Sequence, residues 1–101
     1  MYALNVADEI RFDWDDANLH HIARHDVMRE EAEQVLMNEP VDLDFEYLGE
    51  EPRWAVLGRT ETGRLLVVIF TERGAALRVV TAFDATKHEQ RVYFERKREV
   101  R

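Results

Sequence analysis

Between residues 43 and 83 the chain alternates short apolar-patterned runs with turns of about four residues, and this limits the folds open to it. Leu43, Phe45 and Tyr47 alternate with Asp44 and Glu46, the period of a half-covered strand. Gly49 to Pro52 reads as a turn. Trp54 and Val56 continue the alternation in a second strand that ends near Arg59. Thr60-Glu61-Thr62-Gly63 is the next turn, with glycine where a positive φ is needed. Leu65 to Phe70 is unbroken and rich in β-branched residues, as in a central strand covered on both faces. Glu72-Arg73-Gly74-Ala75 turns the chain into a last strand over Leu77–Phe83. A parallel crossover needs a dozen or more residues, so these turns admit only antiparallel neighbours. The expectation is a four-stranded antiparallel meander.

Helical patterns flank the meander. Ile10, Phe12 and Trp14 alternate with Arg11 and Asp13, predicting a short leading strand. Asp15 or Asp16 then caps a helix whose inner face carries Leu19, Ile22 and Ala23 and which ends at His25-Asp26. A second helix, about Arg29 to Asn38, has Ala32, Val35 and Leu36 as its stripe and acids in its first turns, which suits the helix dipole. Thr86-Lys87-His88-Glu89 fits a capping box opening a third helix, in which Val92 and Tyr93 can dock on the sheet. The expected class is α+β, one domain over residues 1–101. Residues 1–8 are expected to be a loose start, and the chain to fray after about Glu95, leaving roughly 96–101 as a tail.

Composition narrows the function. The chain has 101 residues, 46% of them hydrophobic, enough for one modest core. Zero cysteines remove disulfides, thiolate catalysis and Cys-based zinc sites. The longest apolar run, Leu65 to Phe70, is far short of the ~20 residues of a membrane span. No basic region followed by an apolar stretch opens the chain, so the cytoplasm is the expected location. Net charge is −7, but its distribution says more than its total. Residues 1–52 hold 15 acids and three bases, whereas residues 53–101 hold six acids and 11 bases. Either the halves pair within one fold, or the second half offers a basic face to an anion such as a phosphate backbone.

Several side chains can carry chemistry. His21 and His25 are four apart on a helix and can clamp a metal, but the sequence supplies no third ligand. Asp13, Asp15 and Asp16 cluster at a strand end, where a helix cap is the simpler role. Arg59, Arg64, Arg73, Arg78, Lys87, His88 and Arg91 lie on strand ends, turns and the last helix. Such groups suit RNA cleavage without metal, with arginines neutralising the scissile phosphate and a base moving the 2′-hydroxyl proton. Trp14, Trp54, Phe70 and Tyr93 can stack on bases, but their alternation with polar residues favours core packing.

Residues 12–95 together resemble the BrnT toxin family of bacterial type II toxin–antitoxin systems. The resemblance is carried by Phe12-Asp13-Trp14-Asp15, Asn18 to His25, Glu30-Glu31-Ala32, Leu57-Gly58-Arg59-Thr60, Gly63 to Val68, Thr71-Glu72-Arg73-Gly74 and Leu77-Arg78-Val79-Val80. It implies a RelE-like fold, ribonuclease activity that inhibits translation, and a BrnA-like antitoxin partner that represses the shared promoter in complex with the toxin. Arg59 and Arg73 match family motif positions. After the last strand the family shows a small residue and then arginine, whereas this chain reads Thr81-Ala82-Phe83-Asp84-Ala85.

The leading expectation is a metal-independent endoribonuclease with no cofactor. Arg59, Arg73 and Arg78 hold phosphate, and Lys87 or His88 assists proton transfer. The rival is a non-catalytic relative that keeps only partner binding or self-association, including as a homodimer, suggested by Phe83 in the arginine position.

Overall fold

The computed structural model describes residues 10–99. The loose start expected for residues 1–8 lies outside the described residues. Eight elements follow one another: β1 (Arg11–Phe12), α1 (Asp16–Ala23), α2 (Arg29–Met37), β2 (Val41–Leu48), β3 (Glu51–Arg59), β4 (Leu65–Arg73), β5 (Ala76–Asp84) and α3 (Lys87–Glu99). The strands form one mixed sheet of order β1-β5-β4-β3-β2. β2 to β5 are the expected antiparallel meander. β1 lies beside β5 in the parallel sense, Arg11 opposite Ala76 and Phe12 opposite Leu77. The long route from β1 to β5, through two helices and three strands, makes a parallel neighbour possible where the tight turns do not.

The unbroken apolar run behaves as a central strand must. Leu66 and Val68 of β4 point into a core with Ile22, Val27, Ala32, Val35, Val56, Val79 and Ala82, under α1 and α2. Val67 points to the opposite face, into a smaller cluster with Leu57, Ala85 and Tyr93, under α3. Each such fully buried aliphatic side chain contributes about 1.5–3 kcal/mol from its removal from water. Gly58 lies where α2 approaches the sheet closely. A Cβ there would stand 2.9 Å from Val35 Cγ1 and 3.3 Å from the Val35 carbonyl. Gly63 has φ +92°, the positive value expected of its turn.

Element ends differ from expectation for local reasons. β1 is only two residues long. The Asp13 N–H still donates to the Leu77 carbonyl, but the chain then bends because buried Asn18 holds it. Asn18 Nδ2 donates to the carbonyls of Asp13 and Val79, and its Oδ1 accepts from the Asp15 N–H. Asp15 caps α1 in return, accepting from the Asn18 N–H at 3.2 Å. The helix stops at Ala23 rather than His25-Asp26, because Asp26 turns into the left-handed region at φ +59°. β2 begins two residues early, at Val41, and carries a bulge between Asp42 and Asp44. α3 opens on the expected capping box: the Glu89 N–H donates to Thr86 Oγ1, and the Thr86 N–H donates to Glu89 Oε1. It runs on past Glu95, where Lys97 lies over the Tyr93 ring and donates to the Glu39 carbonyl.

Candidate functional site: an arginine cleft

Strand register decides which basic residues can meet. Thr71 of β4 faces Arg78 of β5, and Arg73 faces Ala76. On the other side, Trp54 of β3 faces Phe70, so continuing that ladder brings Arg53 level with Thr71 and Glu51 level with Arg73. Period two then puts Glu51, Arg53, Arg73 and Arg78 on one sheet face, at the end where β4 turns into β5. This is the face that carries the α3 cluster, but at the end remote from the start of α3. Here α1 borders an open cleft of about 260 Å³, lined by Ala17 and His21 of α1, Glu51 and Arg53 of β3, and Arg73 and Arg78 of the two central strands.

Carboxylates hold the guanidinium groups. Glu51 accepts from Arg53 Nε at 2.9 Å and from Arg73 Nη2 at 3.1 Å. These two cations, Arg73 foremost, hold the Glu51 carboxyl below its ordinary value. Arg78 donates to Asp15 at 3.1 Å and lies 3.4 Å from Asp13. The Arg78 hydrogen bond, with the Asn18 N–H second, lowers the Asp15 carboxyl, and Asp15 in turn raises Arg78. The aspartate cluster thus caps a helix and steers an arginine together. Three arginines thus meet three carboxylates, Glu51, Asp13 and Asp15, with His21 on the rim of the cleft. Guanidinium groups held in this way present planar donors of the kind that suit an anion such as phosphate.

The other candidates lie elsewhere. Arg59 faces Leu65 at the opposite end of β4, and Asp84 faces Leu66 there, just before Lys87 and His88. At about 3.3 Å per residue, the eight steps from Leu65 to Arg73 span roughly 26 Å. Arg73 and Arg78 therefore share a cleft, while Arg59, Lys87 and His88 gather at the far end, all exposed. Phe83 belongs to that far end too, half-buried in the α3 cluster with its ring edge-on to His25 at 5.9 Å. Asp84 is not a free negative charge. Arg64 donates to it at 3.0 Å, to Glu31 at 3.0 Å and to the Asp26 carbonyl at 2.7 Å. Asp84 first, then Glu31, raises Arg64, which ties β4, β5, α2 and the α1–α2 turn together.

Sequence reasoning passed over Arg53 and Glu51, and it read His21 only as a metal candidate. The signal for the first two was the i, i+2 spacing of Glu51 and Arg53 within β3. It was hidden because Gly49 to Pro52 read as turn. His21 and His25 have ring centroids 6.3 Å apart. Among the described residues no three His, Asp or Glu side chains come together as a metal-holding group. No helix of the described residues is long and apolar enough to cross a membrane.

No curated protein matches the chain in sequence. Residues 14–89 match the family described as ribonuclease toxin, BrnT, of type II toxin–antitoxin systems. That span holds α1, α2, the whole meander and every residue lining the cleft. The chain belongs to the BrnT family of type II toxin–antitoxin ribonuclease toxins.

Proposed function

We propose that the chain cleaves RNA without a metal ion, and that the arginine cleft is where it does so. The observation that carries this reading is the meeting of Arg53, Arg73 and Arg78 beside His21. In the proposed reaction the scissile phosphate enters between Arg73 and Arg78, displacing part of their contact with Glu51 and Asp15. The 2′-oxygen attacks phosphorus as the His21 imidazole takes its proton. The bond from phosphorus to the 5′-oxygen breaks, that oxygen takes a proton from water at the open mouth, and the proton held on His21 neutralises the hydroxide left behind, restoring the base. The products are a 2′,3′-cyclic phosphate and a 5′-hydroxyl. Guanidinium groups supply the electrostatic stabilisation of the developing phosphorane charge that a metal would otherwise give. Glu51, held ionised by its arginine neighbours, serves better as an anchor for Arg53 and Arg73 than as the base. Arg59, Lys87 and His88 contact the RNA backbone several nucleotides away rather than the scissile phosphate.

Membership of a type II family implies an antitoxin protein as partner. We take that antitoxin to be BrnA-like. The test is purified protein with total RNA. Arg73→Ala or Arg78→Ala should lower cleavage by about 100-fold or more, the range seen for loss of one transition-state donor. Arg59→Ala with Lys87→Ala should raise the substrate requirement with a smaller effect on the bound rate. Equal effects from both sets, or none from the first, would remove the cleft from the chemistry.

A second reading rests on Phe83. Its ring packs against the cluster of Leu57, Val67, Ala85 and Tyr93, in a position where the family pattern has arginine. A protein reduced to partner binding would be inactive as wild type and would gain cleavage with Phe83→Arg. Activity of the wild type eliminates this reading.

A further inference from the structure

We propose that the outer edge of β2 is the docking site for an extended, basic segment of the antitoxin, which joins the sheet as an added strand. The inference rests on the family's antitoxin and does not require RNA cleavage. Among the described residues no strand pairs with β2 except β3, so its other edge is open over Val41–Leu48. The Phe45 N–H donates to the Asp44 carboxylate of its own strand, at 2.8 Å. By the two-residue alternation of an antiparallel ladder the Tyr47 N–H faces the same way. Both amides are available to an incoming strand once Asp44 releases the first.

The two faces of this edge differ in chemistry. Phe45 and Tyr47 stand on one face, 46% and 64% exposed. Their rings are 5.3 Å apart, and Phe45 lies 5.2 Å from Trp54, which stacks on Phe70 at 5.6 Å. An aromatic ladder thus runs from the core to the edge and ends there uncovered. The other face carries Asp44, Glu46 and Leu48, all exposed, while Asp42, across the bulge, pairs with Val56 and lies on the aromatic face; no basic residue occurs on the strand. Edge strands are commonly guarded by lysine, and an edge guarded only by acids repels some partners and selects others.

Charge decides the occupant. Two copies pairing edge to edge about a two-fold axis would keep each face with itself, so Asp44 and Glu46 of one copy would meet the same acids or Leu48 of the other and never a base. Like charges directly opposite oppose that dimer. A strand whose Lys or Arg residues alternate with aliphatic ones places its bases against Asp44 and Glu46 and its apolar side chains over Phe45 and Tyr47. Main-chain pairing supplies affinity and the alternating pockets supply specificity.

The probe is a synthetic peptide alternating Lys with Val or Ile, compared with the same peptide carrying Glu for Lys. The lysine peptide is expected to bind and to slow hydrogen exchange of the Phe45 and Tyr47 amides, while the glutamate peptide does neither. Tyr47→Pro removes one outward donor at a position where an edge strand tolerates proline. Asp44→Lys with Glu46→Lys reverses the charge without touching the backbone. Each variant should weaken binding about tenfold or more. Absence of binding, protection elsewhere than β2, equal binding of the two peptides, or a wild-type dimer that Tyr47→Pro dissolves would each overturn the proposal. Tyr47→Pro alters no residue lining the arginine cleft, whereas Glu46 stands opposite Arg53 in the β2–β3 ladder, so RNA cleavage is compared between the wild type and Tyr47→Pro. Its retention in Tyr47→Pro, or its absence in the wild type, bears on the ribonuclease reading alone.

Discussion

Gly58→Ala tests the packing that seats α2 on the sheet. The added methyl would meet Val35 Cγ1 at 2.9 Å, Pro40 Cβ at 3.3 Å and the Val35 carbonyl oxygen at 3.3 Å. Ordinary contacts begin near 3.4 Å, so the worst overlap is about half an ångström. Val35 is fully buried, and close packing leaves a buried side chain little room to turn. The carbonyl belongs to helix backbone and moves only with α2. Overpacking of this kind costs about 1–3 kcal/mol. Loss of glycine's freedom in the unfolded chain offsets up to about 1 kcal/mol. The net expectation is a loss of about 1–2 kcal/mol. For a domain near 100 residues each kcal/mol shifts Tm by about 4–8 °C, giving a fall of roughly 5–15 °C. Thermal unfolding followed by circular dichroism measures it. Val35→Ala in the same chain removes the worst contact but leaves the carbonyl, so the double variant should lose less than the two single losses combined. An unchanged or higher Tm for Gly58→Ala would refute the close approach.

Other predictions follow from the cleft. Asn18→Ala leaves the buried Val79 carbonyl and the Asp13 carbonyl without their donor, at a cost of about 1–3 kcal/mol. It also loosens the aspartates that steer Arg78, so RNA affinity should fall even at temperatures where the variant is folded, as read by a filter-binding titration. Asp15 is lowered from its ordinary value near 3.8, so its stabilising contact is fully present above that pH and is lost as pH falls through the depressed value. Asp15→Asn should accordingly flatten the fall in Tm as pH drops below Asp15's ordinary value near 3.8, and a parallel fall in both proteins would contradict the pairing. His21→Ala should slow cleavage with little effect on Tm, and added imidazole should restore part of the rate. Absence of rescue would argue for another base.

The sequence was most legible where local chemistry and global fold agree. The meander, the doubly covered strand from Leu65, an aspartate cap at Asp15 or Asp16 and the Thr86–Glu89 box all follow from period and turn residues alone. What it hid were consequences of register. Arg59 and Arg73 read as equivalent arginines at strand ends, yet antiparallel pairing sends them to opposite ends of the sheet. Arg53 looked like the flank of a turn until a two-residue connection at Gly49 extended β3 back to Glu51. The charge division between the halves is real, but the fold uses much of it internally. Arg78 takes Asp13 and Asp15, Arg73 takes Glu51, and Arg64 takes Glu31 along with Asp84 of its own half. Acids of the first half therefore hold the arginines of the second in place.

The central claim is that the cleft between α1 and the β4–β5 end cleaves RNA without metal. Its most direct test is single-turnover cleavage of a short RNA in excess chelator, with analysis of the product ends, by wild type and by the Arg73→Ala, Arg78→Ala double variant at matched folded concentration. The account predicts cleavage by the wild type in chelator, leaving 2′,3′-cyclic phosphate and 5′-hydroxyl ends, and its loss in the double variant. Cleavage that the chelator abolishes, or that the double variant retains, would contradict it.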